Sequence, residues 1–185
     1  TSAPASDGTI EYLKPTAILT TVPSILVRHR IEAEAGGVVT VPVQVGEPGV
    51  VRLRARSTGG LEAESNPMQV SADAPRILWA DLHGHSHFSD GTGTPEDYFR
   101  YARDVAALDA VALTDHDHWG IPFLDESPDM WSEIRRQNRR FHEPGRFVTV
   151  LGYEWTSWVY GHRHVLHFAD DGPLASSIDE GSDTP

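Results

Sequence analysis

The chain has 185 residues, 27 acidic against 15 basic, a net charge of −12 with histidines neutral, and no cysteine. That balance argues against nucleic-acid binding by phosphate neutralisation, which needs clustered Lys and Arg, and the missing thiols exclude disulfides and thiolate metal sites. No run reaches the roughly 18 apolar residues of a membrane span, while a hydrophobic fraction of 39% and five tryptophans supply a substantial core.

The chain opens on Thr1-Ser-Ala-Pro-Ala-Ser6, which looks like a processed or trimmed start. Residues 9–71 are rich in Val, Thr and Ile, with Gly and Pro punctuation. Ile25–Ala35 alternates from Val27 onward, and Val39–Val45 and Val51–Arg56 alternate strictly. Gly36-Gly37, Gly46–Gly49 and Gly59-Gly60 mark turns between them. Period-2 patterning at this spacing predicts a small antiparallel β-sandwich-like domain over residues 1–75, with Pro42 placing its strand at an edge. The expected role is a scaffold, with carbohydrate or partner binding as the alternative. Together with the processed-looking start, the appended β domain points to export.

After Asp73-Ala-Pro75 the style changes, and residues 76–185 read as α/β. Ile77–Leu82 predicts a short buried strand. Thr94-Pro-Glu-Asp97 predicts a helix start, with a Thr cap, Pro at the first helical position and acids in the first turn, running to about Ala107. Ala110–Thr114 is the next strand, and 129–141 a second helix with Met130, Ile134 and Phe141 facing inward. Phe147–Leu151 and His164–Phe168 complete the pattern. Strand, helix, strand, helix, strand implies a mostly parallel sheet whose reactive groups sit at the carboxyl ends of strands.

Those ends carry an unusual concentration of imidazole. Nine of the ten histidines follow Asp81, eight of them in three tight groups: 83–87, 116–118 and 162–167. His83 and His85 are two apart in an extended segment and leave on the same side, so both can bind one ion. Neutral imidazole suits zinc, iron and manganese alike. Asp81 could orient a ligand or bind, and Asp90 adds a carboxylate at a tight turn, with capping that turn as its alternative role. His116 is the expected ligand after the second strand, with Asp115 or Asp117 orienting it or binding. Glu154, after the third strand, is the candidate to bridge two ions. His162 and His164 could share a face, whereas His167 has the opposite parity. Three or four of the nine are expected to be non-ligands, His142 first among them, with His87 and His118 open.

Asp81-Leu-His-Gly-His-Ser-His-Phe-Ser-Asp-Gly91 with Leu113-Thr-Asp-His-Asp117 resembles the first two signatures of the polymerase-and-histidinol-phosphatase (PHP) family, and Gly152-Tyr-Glu154 followed by Gly161-His162 looks like its third. The resemblance spans 77–168 and implies a distorted (β/α)7 barrel whose mouth holds two or three divalent ions (Zn, Mn or Fe). It implies His83 and His85 on the first ion, a bridging Glu154, and His116 and His162 on further ions with Asp90 nearby; His164 is the alternative to His162. Ser65-Asn-Pro-Met-Gln-Val70, Trp79 and the Thr94 helix resemble a branch with an N-terminal β domain, similar to carbaryl (carbamate ester) hydrolases. A PHP barrel is closed by later strands bringing another His and an Asp-x-His signature, whereas Asp183 here is followed by no histidine. The expectation is therefore a partial barrel with an incomplete metal site, whose partner is the remaining C-terminal part of the same protein.

The implied chemistry is metal-dependent hydrolysis of a small-molecule ester, most often a phosphoester. Glu154 would hold the ions, Asp115 or a free histidine would protonate the leaving group, and Arg163 or an arginine from elsewhere would bind phosphate. Trp79, Trp119, Trp155 and Trp158 hint at an apolar substrate and hence a carbamate or carboxylic ester, although barrel packing also explains such residues, Trp79 above all. A rival of another class is a non-catalytic fragment that binds metal or a partner.

Overall fold

A computed structural model describes residues 7–14, 24–32, 43, 45, 48–57 and 59–184. The chain divides into two compact units, Thr1–Arg76 and Ile77–Pro185, and is mixed α/β.

The first unit is an antiparallel sheet of β1 (Asp7–Lys14), β2 (Ser24–Glu32), β3 (Gly49–Ser57), β4 (Glu62–Glu64) and β5 (Met68–Val70). The order is β2-β1-β3-β4, and β5 pairs the first residues of β3. The expected strand Val51–Arg56 is found in β3, but its burial fades along the strand: Val51 is buried, Leu53 half-buried and Ala55 exposed, while Arg54 and Arg56 lie opposite Glu64 and Glu62 and pair with them at 3.1 and 2.7 Å. Such exposed cross-strand pairs fix register more than they stabilise. A second sheet, which a sandwich requires, is not found among the described residues. Val43 and Val45 lie outside any strand, and the rest of the expected Val39–Val45 strand, Pro42 included, falls outside the described residues.

The second unit holds a four-stranded sheet, β6 (Ala80–Asp81), β7 (Ala110–Leu113), β8 (Val148–Ser157) and β9 (Gly161–His167), in that order. β6, β7 and β8 are parallel, as a strand–helix–strand pattern requires. β9 departs from that pattern. It returns antiparallel to β8 after a three-residue turn, residues 158–160, and starts at Gly161, whose φ of +78° suits glycine. Nor is Ile77–Leu82 a buried strand. Only Ala80–Asp81 pairs, at the sheet's edge, and Trp79 is 67% exposed.

The first helix, α1 (Pro95–Arg100), starts with the expected Thr94 cap, which Asp97 makes reciprocal: the Asp97 N–H donates to the Thr94 hydroxyl (3.1 Å) and the Thr94 N–H to the Asp97 carboxylate (3.0 Å). It continues as a π-helical turn, Tyr101–Val105, and closes on Ala107 in the left-handed region at φ +53°. The second helix, α2 (Pro128–Phe141), turns Trp131, Ile134 and Phe141 inward at helical spacing, with Met130 half-buried against the same cluster. They pack with Phe99, Leu113 and Leu151 into one core.

Candidate metal centre

Three strand-derived segments converge on Glu154. β7 and β8 stop pairing at Leu113↔Leu151, and beyond that a single parallel bridge joins His116 to Glu154. Glu154 is therefore not at a strand end, as its sequence position suggested, but inside β8 at the level where β7 runs out. On its other side β9 places His164 directly opposite Glu154 and His162 opposite Thr156, so both imidazoles project from the face that carries Glu154. The His83–Asp90 segment arrives from β6. The Thr114 N–H donates to the Gly84 carbonyl (2.8 Å), which ties this segment to the end of β7. A side chain at residue 84 would run into the Tyr98 ring, so glycine is required for that approach.

The loop that presents Asp90 is built on Asp115. Its buried carboxylate accepts the Ser86 N–H (2.8 Å), the Ser86 hydroxyl (2.8 Å) and the Ser89 hydroxyl (2.7 Å). The loop closes with the Gly91 N–H on the Ser86 carbonyl (3.0 Å), where a Cβ at 91 would collide with the His85 carbonyl.

Glu154 is only 3% exposed, and four imidazole nitrogens surround its two oxygens. Oε2 faces His85 Nε2 at 2.9 Å, His83 Nε2 at 3.3 Å and His116 Nδ1 at 3.6 Å, and Oε1 faces His162 Nδ1 at 2.8 Å. Asp90 contacts His85 Nδ1 and lies 3.8 Å from His116 Nε2. Three sets of donor atoms fall within 4.8 Å of one another: His83, Glu154 and His164; His85, Asp90 and His116; and His116, Glu154 and His162. Every sequence-predicted ligand, His83, His85, Asp90, His116, Glu154, His162 and His164, is in at least one set. His162 and His164 are thus both recruited, in different sets.

Burial alone would push the Glu154 carboxyl up, but His116, His162, His85 and His83 outweigh it and hold it below the usual carboxylate range. The hydrogen bond to His85 likewise lowers Asp90. His116 is lowered by burial first, against the pull of Glu154 and with His85 adding to the shift, and His164 by burial and then His83. Ionised carboxylates beside imidazoles biased to the neutral form are what a divalent cation needs from its ligands. A buried carboxylate also needs compensating positive charge, and this donor set can hold a metal ion to provide it.

The other histidines of the second unit are engaged elsewhere. His87 Nδ1 contacts the Gly93 carbonyl (2.8 Å), His118 Nδ1 the Asp125 carboxylate (2.8 Å), and His142 Nδ1 accepts the Thr149 N–H (3.2 Å). His167, of opposite parity, stands beside Tyr153 and Trp131.

Two expected roles change. Asp115, with no exposed surface and three donors on its carboxylate, is placed to hold the Ser86–Gly91 loop rather than to pass a proton to a leaving group. Arg163 lies opposite Trp155, on the other parity from His162 and His164, and its guanidinium donates to the His162 carbonyl (2.9 Å). It is not aimed with the ligands at a substrate phosphate. Asp117 is buried behind the cluster and accepts the Thr156 N–H (2.7 Å) and the Ser177 N–H (2.5 Å). Thr156 and the Ser176-Ser177 segment carry no metal-ligand signature and were missed from sequence; the signal for Thr156 was its shared parity with Glu154. Of the tryptophans, Trp155 is buried and donates to the Ser182 carbonyl (2.8 Å). Trp119 stacks on His116 (5.4 Å between centroids) and on Trp158 (4.9 Å), and Trp158 meets His162 edge-on while staying 74% exposed.

No family model and no solved structure matches the chain. Over 138 residues it is 32% identical to an uncharacterised protein of Chlamydia pneumoniae, a match that takes in 72% of this chain and 22% of that protein. The chain thus spans about a fifth of the length of the curated relative it matches.

Proposed function

We propose that the second unit is part of a PHP-type metallohydrolase that cleaves a phosphoester of a small molecule. The observation that carries this reading is a buried carboxylate, Glu154, ringed by four imidazoles and joined through His85 and His116 to a second carboxylate, Asp90. The order of the ligands along the chain, and their arrival from the ends of β6 and β7 and from β8 and β9, fits the front part of a distorted (β/α)7 barrel. Two or three divalent ions (Zn, Mn or Fe) held there would acidify water and draw charge from the scissile centre. Glu154 supplies two oxygens at the middle of the cluster and so suits the bridging position. His83 and His164 would share one position with it, His162 another, and His85, Asp90 and His116 would form a third. Asp115 keeps Asp90 in reach by fixing its loop.

A carbamate or carboxylic ester is the second reading, favoured by the Trp119–Trp158 stack beside His116 and His162, an apolar wall suited to an uncharged leaving group. The test is hydrolysis of nitrophenyl phosphate, a phosphodiester, a carboxylate ester and a carbamate, before and after chelation and with Mn, Zn or Fe restored. Chelation should abolish turnover, and one of these metals should restore it. His83→Ala and Glu154→Ala should each cost at least about 100-fold, because they remove a ligand itself rather than an outer-shell partner worth 10–100-fold. Unchanged turnover in either variant rejects the proposal.

A further inference from the structure

We propose that Thr156 is a positioning residue that fixes the proton of His116 on Nδ1 and so commits Nε2 of that ring to the position shared with His85 and Asp90. This rests on the metal-centre reading above and adds a division of labour to it. His116 belongs to two overlapping donor sets, one with His85 and Asp90 and one with Glu154 and His162. A neutral imidazole has one lone pair in the ring plane, so it can serve only one of them at a time.

The hydrogen bonds around Thr156 decide which. His116 Nδ1 lies 2.8 Å from the Thr156 hydroxyl. That hydroxyl has a single proton, which points to the Glu154 carbonyl at 2.9 Å, so towards His116 it is an acceptor. Nδ1 must then be the protonated nitrogen. The Glu154 carboxylate agrees, since Oε2 is 3.6 Å from Nδ1 and favours N–H over a lone pair there. Nε2 keeps its lone pair and faces Asp90 at 3.8 Å. The Thr156 backbone is itself held, its N–H on the buried Asp117 carboxylate at 2.7 Å, and Asp117 also takes the Ser177 N–H. Ser177, Asp117, Thr156 and His116 thus form one chain of hydrogen bonds ending on a ligand ring, and Thr156 is 1% exposed. In consequence the position beside His162 is served by Glu154 and His162 without His116.

The test compares wild type, Thr156→Val and Thr156→Ser. Valine keeps the shape and the backbone bond to Asp117 but removes the hydroxyl, and serine returns it. In metal-free protein, imidazole 15N chemical shifts read the tautomer directly, and zinc and manganese titrations read affinity. The expected result is an Nδ1–H tautomer for His116 in wild type, a shift towards Nε2–H in Thr156→Val with 10–100-fold weaker binding, and recovery of both in Thr156→Ser. An Nε2–H tautomer in wild type, or an unchanged tautomer and affinity in Thr156→Val, overturns the proposal. If wild type shows the Nδ1–H tautomer and Thr156→Val shifts it, yet neither binds metal, the Thr156 assignment holds and the metal-centre reading falls.

Discussion

Glu154 shows how a residue that is ordinary in sequence becomes distinctive in place. A lone Glu within a strand is usually solvated, but here β8 carries it into a ring of imidazoles with almost no exposed surface. The clustering of the histidines was legible because their spacing and strand parity are local properties. The role of Asp115 was not, because its partners Ser86 and Ser89 lie far away in sequence and hydroxyl donors leave no pattern. The shifts at the centre share one sign. His116, His164, Glu154 and Asp90 all have folded values below their unfolded ones, so the unfolded chain binds more protons as the pH falls. Their stabilising contribution is present above the unfolded values and lost on acidification. The metal-free protein should therefore lose thermal stability as the pH drops below about 6.5 through the histidine window, and lose more below about 4.5 as the carboxylates protonate. A melting temperature flat or rising from pH 7.5 to 4 would contradict these shifts.

At the scale of elements, legibility followed periodicity. The cap of α1 could be read from Thr94-Pro-Glu-Asp97, because capping is decided by the residues at the helix end. The apolar spacing of α2 was equally plain. β8 is longer than the sequence indicated because residues 151–157 are buried on both faces, which removes the alternation that marks a strand. The reversal into β9 was hidden for a different reason: its direction depends on a short turn, not on the composition of the strand. The end of the first helix carries a local cost. Ala107 occupies the left-handed region, disfavoured for alanine by about 1–2 kcal/mol. Ala107→Gly relieves that strain but frees the unfolded chain by about 0.4–1 kcal/mol. The net should be a gain of between zero and about 1.6 kcal/mol in chemical denaturation. A loss of stability would show that residue 107 is not strained.

For the molecule as a whole, division into a β-rich unit and an α/β unit could be read from composition, because nine of the ten histidines, all five tryptophans and the helical periods come after residue 75. The internal architecture of the first unit was less accessible, since alternating strands pair in many orders and nothing in the pattern selects β2-β1-β3-β4. Among the described residues no helix is long and apolar enough to cross a membrane. In a chain of net charge −12, the closely set carboxylates and imidazoles of the second unit are where a divalent cation should bind most strongly. The central claim is that this cluster is a metal centre, and metal content of the 185-residue chain tests it most directly. After loading with zinc or manganese and exhaustive dialysis, elemental analysis should find at least one ion per wild-type chain, removed by chelator, and little in Glu154→Ala or His85→Ala. Equal metal in wild type and both variants, or none in any of them, would contradict the account.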